Sequence, residues 1–253
     1  MFDYHARPGL LRDRVLVVTG AGDGIGRAAA LAYARHGATV VLVGRTPRKL
    51  EDTYDAITAA NGPEPAIYPL NLDGAAPKDY ADLARVVEAE FGAVHGLLNN
   101  AGVLGPRTPL AQFNPSEWDR VLRINLTSQF LLTQALLPVL AAAPRASVVF
   151  TSSGVGRVGR AYWGAYSVSK FGVEALTQIW ADELENISSI RINAINPGAT
   201  RTEMRAAAYP GESPDENPAP DDIMPLYLYL MGDDSVDCNG RSLDAQRGAP
   251  GDT

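Results

Sequence analysis

Cysteine is almost missing from this chain: Cys238 is the only one in 253 residues. An internal disulfide is therefore impossible, and a secreted scaffold held by disulfides is excluded. Histidine is scarce as well. His5, His36 and His95 stand far apart with no ligand spacing around them, so no metal site is expected. The opening stretch MFDYHARPGLLRDR lacks the apolar centre of a signal peptide. No apolar run approaches the roughly 20 residues of a membrane span, so no membrane partner is expected. Positive charge is in deficit: 22 Lys and Arg against 29 Asp and Glu leave a formal net charge of -7. Nucleic acid and anionic membranes draw on a positive field, so nucleic acid is not an expected partner either. A small anionic ligand stays open, because its site needs only local positive charge. The expected compartment is the cytoplasm.

What the chain has in quantity is alternation. Short apolar runs at 15–19, 39–43, 66–70, 96–99, 147–151, 190–196 and 241–244 read as strands. Helical patterns at 24–36, 47–60, 77–91, 116–141 and 165–185 lie between them. Strands that are apolar throughout suit a parallel sheet covered on both faces. Their alternation with helices predicts a doubly wound α/β sheet in a single domain spanning the chain. One stretch breaks the rhythm: residues 203–222, EMRAAAYPGESPDENPAPDD, are crowded with Pro, Gly, Asp and Ser. It is either a plain surface loop or, given its place after a late strand, a lid over the substrate. The lid is the expectation.

After the first strand comes Gly20-Ala21-Gly22-Asp23-Gly24-Ile25-Gly26, followed by an Ala-rich helix. Glycines let the backbone turn sharply and approach a pyrophosphate, and the amides at the helix start receive its charge. Between a strand and a helix, in a unit followed by another strand, this is a dinucleotide-binding turn. The end of the second strand then selects the cofactor. An acid there holds the free 2′-hydroxyl of NAD, but the residues here are Gly44-Arg45-Thr46-Pro47-Arg48. Arg45 offers a guanidinium suited to a 2′-phosphate, with Arg48 assisting, so NADP(H) is expected over NAD(H). Asp23 is a counter-sign.

Tyr166 and Lys170 open a late helix, four residues apart and hence on one face. A neighbouring ammonium favours the phenolate and lowers the tyrosine pKa from about 10. Such a tyrosine can exchange a proton with an alkoxide as hydride moves. The pair alone is weak evidence, but its surroundings strengthen it. Ser153 follows the strand 147–151, at the end where ligands bind. Asn99, Asn100, Ala101 and Gly102 follow the fourth strand. Asn125 sits alone in the apolar stretch RINLTSQFLL, where it must be hydrogen-bonded if buried. Asn99 and Asn100 read equally well as structural residues.

The glycine turn, Asn99-Asn100-Ala101-Gly102, Asn125, Ser153, Tyr166-x-x-x-Lys170 and Asn196-Pro197-Gly198 resemble, in order and spacing over nearly the whole chain, the short-chain dehydrogenase/reductase family. Three longer stretches, SSGVGRVGRAYWGAYSVSKF, INPGATRTEMRA and DIMPLYLYLMGDDS, resemble its YciK-type bacterial branch. The resemblance implies a single-domain, doubly wound (Rossmann-type), seven-stranded parallel sheet with helices on both faces. It implies a tetrad in which Ser153 hydrogen-bonds the substrate carbonyl and Tyr166 is general acid/base. Lys170 would hold the nicotinamide ribose and depress the tyrosine pKa, and Asn125 would position a water linking Lys170 to solvent. Asn71 and Leu72 match the adenine contact, with Asn71 where the family usually has Asp. Asn99, Ala101 and Gly102 match the stretch passing the adenosine and ribose. Pro197, Gly198, Thr200 and Thr202 resemble the residues that hold the carboxamide and diphosphate.

The expected activity is reversible hydride transfer between NADP(H) and a small-molecule carbonyl/alcohol pair. The rival is an NADP(H)-binding redox sensor or scaffold without turnover. Arg157, Arg160, Tyr162 and Trp163 lie between Ser153 and Tyr166. Aromatic walls suit an apolar or ring-bearing carbonyl compound, and either arginine offers a carboxylate or phosphate contact or is a surface residue. The resemblance also implies a homodimer or homotetramer. Leu126, Phe130 and Leu137 line that contact or pack on the sheet.

Overall fold

A computed structural model describes residues 1–246. Its sheet contains seven strands: β1 (Val15–Thr19), β2 (Thr39–Gly44), β3 (Ala66–Pro69), β4 (Gly96–Asn99), β5 (Ala146–Thr151), β6 (Ile190–Asn196) and β7 (Ser242–Asp244). All neighbouring pairs are parallel, in the order β3-β2-β1-β4-β5-β6-β7. The doubly wound, seven-stranded sheet implied by the sequence is the fold observed. Two apolar layers cover it. Helix α1 (Gly24–Arg35) and helix α8 (Met224–Met231) pack one face with Leu16, Val18, Leu98 and Ile195. Helices α3 (Pro77–Phe91), α5 (Ser128–Ala141) and α6 (Gly164–Leu184) pack the other with Val17, Leu97, Val148 and Ile192. Adjacent strand residues alternate between these layers, so both faces demand apolar side chains.

Helix α2 (Pro47–Ala59) completes the first half of the sheet. The helix expected over 116–141 is continuous but not uniform. α4 (Pro115–Leu122) passes through a π-helical turn at Arg123–Thr127 before α5 begins. A π turn inserts one extra residue per turn and is common at functional sites; here it includes Asn125. The rod Pro115–Ala141 also qualifies the expectation of no apolar segment of membrane-spanning length. Its mean hydropathy reaches 1.3 over a span-length window, but half of that window is buried inside the protein. Packing on α3, α6 and the sheet accounts for the apolar character.

The segment 203–222 differs most from expectation. Its first residues form a helix, α7 (Glu203–Ala208), whose start is capped by Thr202 Oγ1 accepting from the Arg205 amide at 3.1 Å. The rest folds into short 3₁₀ turns at Pro214–Glu216 and Pro220–Ile223. Arg205 grips Glu212 with both Nε and Nη2 at 2.6 Å, and Arg201 N donates to Pro218 O at 2.9 Å. Local capping, the bidentate Arg205–Glu212 pair and this backbone bond supply order that the Pro- and Asp-rich composition does not advertise.

The turn between β1 and α1 is packed too tightly for any side chain at Gly26, where a Cβ would drive into the Gly20 carbonyl and the Asn100 amide. Gly26→Ala is therefore expected to lower the unfolding free energy by about 1–3 kcal/mol, as over-packed sites do. Urea denaturation checks this. A wild-type midpoint would show that the turn yields freely.

Candidate active site

The order of the strands reverses between β1 and β4, and at such a point the loops leaving the carboxyl ends diverge and open a crevice. A cleft of about 530 Å³ lies along this edge. Thr19 joins its two sides. Its Oγ1 donates to Leu98 O at 3.2 Å and accepts from the amides of Asn100 at 2.9 Å and Ala101 at 3.0 Å. Asn100 then links onward, because its Oδ1 accepts from Thr151 Oγ1 at 3.2 Å. The ends of β1, β4 and β5 are thus one hydrogen-bonded strip.

At one end the glycine turn forms the floor. Gly20 has φ +70°, and its amide donates to Val43 O at 2.8 Å, which folds the turn against β2. Gly20, Gly22, Asp23, Gly24 and Ile25 line the cleft; Gly26 lies behind it as the close-packed contact. Asp23 caps α1, its Oδ1 accepting from Gly24 N at 2.7 Å. Its other oxygen meets the Lys49 ammonium, which holds the carboxyl below its usual range. The charge that counted against an anion is therefore matched. Arg45 lines the cleft beside Thr46, and Asn71, Leu72 and Asp73 line it from the end of the neighbouring strand β3. Arg48 does not line it. Lys49, one residue later in the first turn of α2, takes that place. Helical periodicity from Pro47 could have found it, since Lys49 and Leu50 both turn back toward the strand end.

At the other end, α6 presents Tyr166 and Lys170 to the cleft with Ser153 from the β5 loop. The Lys170 Nζ lies 5.6 Å from the Tyr166 ring centre and donates to Thr151 O at 2.6 Å. Burial pushes the Tyr166 phenol up to about 12, against the opposing effect of a Ser153 hydrogen bond. Burial likewise pulls Lys170 down to about 8, against the field of Glu174. The chain's own groups therefore do not lower the Tyr166 pKa as the family resemblance implied. The ammonium faces the Thr151 carbonyl, and desolvation of the phenol outweighs the Ser153 hydrogen bond.

Asn125 and Asn99 do not reach the cleft. Asn125 is fully buried behind the wall. Its Oδ1 accepts from Val103 N, its Nδ2 donates to Val103 O, both at 2.8 Å, and it also reaches Ser169 Oγ at 3.2 Å. Ser169 in turn donates to Tyr166 O at 2.6 Å. Asn99 is buried beneath the sheet edge, donating to Thr133 Oγ1 at 3.0 Å, and its neighbours Asn100, Ala101 and Gly102 line the cleft instead. Pro197, Gly198, Thr200 and Thr202 close the opposite side.

The wall near Tyr166 is mostly apolar: Val103, Leu104, Ile124, Trp163, Met204 and Ala208. The Trp163 ring is tilted at 47° to that of Tyr166, with centres 5.6 Å apart, whereas Tyr162 is exposed. Arg157 turns away to β7, donating to Asp244 Oδ1 at 2.8 Å and Ser242 Oγ at 2.7 Å. Arg160 is exposed and does not line the cleft. Leu104, Met204 and Ala208 are wall residues that sequence reasoning did not single out, because loop and lid contacts carry no periodic signal. Among the described residues, no group of three His, Cys, Asp or Glu side chains gathers to hold a metal.

These residues fit a dinucleotide. The glycine turn leaves backbone exposed at a helix start, a cation stands at the end of β2, and a hydroxyl, a phenol and an ammonium converge at the far end. Comparison with known proteins agrees. The model of the family described as short chain dehydrogenase matches residues 14–213. The uncharacterized oxidoreductase YciK of Escherichia coli (strain K12) is 47% identical over 245 residues, covering 97% of this chain and 96% of that protein. A structure titled as that of a putative short chain dehydrogenase from Pseudomonas syringae superposes with a TM-score of 0.96 at 57% identity, covering 97% of this chain and 100% of that one. A relative from Escherichia coli CFT073, crystallised with NADPH, has a TM-score of 0.93 at 47% identity, covering 95% and 100%.

Asn125 ties the loop after β4 to the helix that carries Tyr166. Asn125→Ala would strand the Val103 amide and carbonyl, and is expected to lower the unfolding free energy by about 2–4 kcal/mol. Chemical denaturation measures it; a change below about 0.5 kcal/mol would refute the bracing role.

Proposed function

Because the chain belongs to the short-chain dehydrogenase family, we propose that it is an NADP(H)-dependent oxidoreductase that reduces a small carbonyl compound to the alcohol, and the reverse. The observation that carries this reading is one cleft holding the glycine turn and Arg45 at one end and Ser153, Tyr166 and Lys170 at the other. The NADPH in the Escherichia coli CFT073 relative supports the cofactor.

In this reading Gly20, Gly22, Asp23, Gly24 and Ile25 offer backbone to the diphosphate, and Asn71 and Leu72 border the adenine. Ala101, Gly102, Pro197, Gly198, Thr200 and Thr202 hold the remainder, with Asn99 and Gly26 as the packing beneath. Arg45 and Lys49 supply positive charge for a 2′-phosphate, with Lys49 also neutralising Asp23. NADPH supplies the hydride when bound. Ser153 donates a hydrogen bond to the substrate carbonyl oxygen, and Tyr166 Oη delivers a proton to that oxygen as charge develops on it. A phenol held at about 12 is fully protonated at neutral pH, which suits reduction. Lys170 grips the ribose and stands next in line to return a proton, and Asn125 keeps α6 in register through Ser169.

The apolar wall of Leu104, Ile124, Trp163, Met204 and Ala208 favours an apolar or ring-bearing carbonyl compound. Only the α7 part of 203–222 borders the cleft, so α7 is the part that acts as lid. A homodimer or homotetramer follows from the apolar outer surface of α5 and α6. There Phe130 stacks on Trp180 at 6.2 Å and Phe171 and Ile179 remain exposed. Leu126 and Leu137 pack inward at its edge.

Tyr166→Phe is expected to reduce turnover of a carbonyl panel by about 100-fold or more, while NADPH affinity, read by fluorescence, stays within about threefold. Retained turnover in that variant sinks the acid/base assignment. Arg45→Ala is expected to weaken NADPH by about 10- to 100-fold, the worth of a charged hydrogen bond, with NADH little changed. Equal losses for both would remove Arg45 from the 2′-phosphate.

A further inference from the structure

One helical turn beyond Lys170, α6 carries a third polar residue on the same buried line: Glu174, 8% exposed. A carboxylate in the interior demands partners, and Glu174 has them on three other elements. Its Oε1 accepts from Ser152 Oγ at the end of β5 at 2.5 Å and from Ser242 Oγ on β7 at 2.8 Å. Arg157 Nε, from the loop after β5, lies 3.6 Å away. Arg157 goes on to Asp244, which also accepts from Asn196 Nδ2 at 2.8 Å, and Asn196 Oδ1 accepts from Gly198 N at 3.1 Å. The line of charge alternates: Lys170, Glu174, Arg157, Asp244.

Ser152 lies between the two residues that act at the cleft. Thr151 O holds the Lys170 ammonium, and Ser153 faces Tyr166. A carboxylate that grips Ser152 therefore locates both. We propose, on top of the family reading above, that Glu174 is a positioning residue for proton transfer: it anchors the Thr151–Ser153 strand end and sets the charge of the Lys170 ammonium. Removing its negative charge lets Lys170 lose its proton at lower pH. Removing Arg157, the cation that competes for the same carboxylate, acts in the opposite sense. The other titratable groups near Lys170 are Tyr166 on α6 and, behind Thr151, Tyr227 of α8, both pushed upward by burial and neutral in this range.

The test uses the full chain and needs no known substrate. NADPH affinity is measured by fluorescence from pH 6 to 10 for the wild type, Glu174→Gln, Glu174→Asp, Arg157→Gln and Lys170→Met. The wild type is expected to lose affinity as pH passes about 8, and Lys170→Met to show no such inflection. Glu174→Gln keeps the acceptor for both serines, binds within about threefold at pH 6, and has its inflection about one unit lower, which is about fivefold weaker binding at pH 8 and about tenfold above pH 9. Glu174→Asp keeps the wild-type inflection, and Arg157→Gln moves it upward. A Glu174→Gln curve parallel to the wild type at every pH reduces Glu174 to a structural role and overturns the proposal. Should that variant not fold, an unmoved inflection in Arg157→Gln overturns it instead. Wild-type protein that binds NADPH without any inflection defeats this inference alone, whereas wild-type protein that fails to bind NADPH defeats the proposed NADP(H)-dependent activity with it.

Discussion

Lys170 brings an ammonium group into the protein interior, 2% exposed, with its nitrogen 2.6 Å from the Thr151 carbonyl. An isolated charge there would be strongly disfavoured, and much of the surrounding architecture reads as its accommodation. The parallel sheet ends β5 at Thr151, so an orphan strand-end carbonyl points toward α6. Glu174 supplies opposite charge one turn further along the same helix. Burial still lowers the lysine to about 8, against the field of Glu174. That balance depends on β5 and α6 keeping their register.

The register is kept from both faces. On one side Asn125 joins Val103 to Ser169 and, through it, to the Tyr166 carbonyl. The π-helical turn that contains Asn125 is the local irregularity at which a regular apolar helix turns a polar side chain inward. On the other side Ser152, Ser242 and Arg157 tie α6 to β7 and to the loop that carries Gly198. At the far end of the cleft, Gly26 lets α1 press against the Gly20 turn while Thr19 stitches β1 to β4. The glycine-turn end and the Tyr166–Lys170 end are thereby parts of one sheet edge.

Much of this was legible beforehand. The seven strands fall within about a residue of where apolar runs place them, because strands buried on both faces leave an unbroken apolar signature. The glycine turn, Arg45, Ser153, Tyr166 and Lys170 are close to strand ends or helix starts, so short-range pattern locates them. Other features were not legible. Arg157 could have faced either way, and its choice of Asp244 follows from β7, more than eighty residues on. Lys49, which borders the cleft in place of Arg48, is the intermediate case: the helical period counted from Pro47 points to it, but only once α2 is known to begin there. The order in 203–222 rests on Thr202, Arg205 and Glu212, a cap and a clamp hidden in a composition that reads as loop.

The sequence by itself determined the alternation of strand and helix, the parallel sheet, and which residue types would stand at the carboxyl ends of its strands. These are local matters of period, turn chemistry and burial, written within a few residues of each other. Only the tertiary structure decided that Asn125 and Asn99 stand behind the cleft wall, that Asp23 is neutralised by Lys49, and that Glu174 lies in line with Tyr166 and Lys170 while bound to β5 and β7. Each of those depends on which distant element packs against the residue, and on the desolvation that follows. A tyrosine near 12 beside a lysine near 8 is a property of the burial around that pair, which no spacing along the chain encodes.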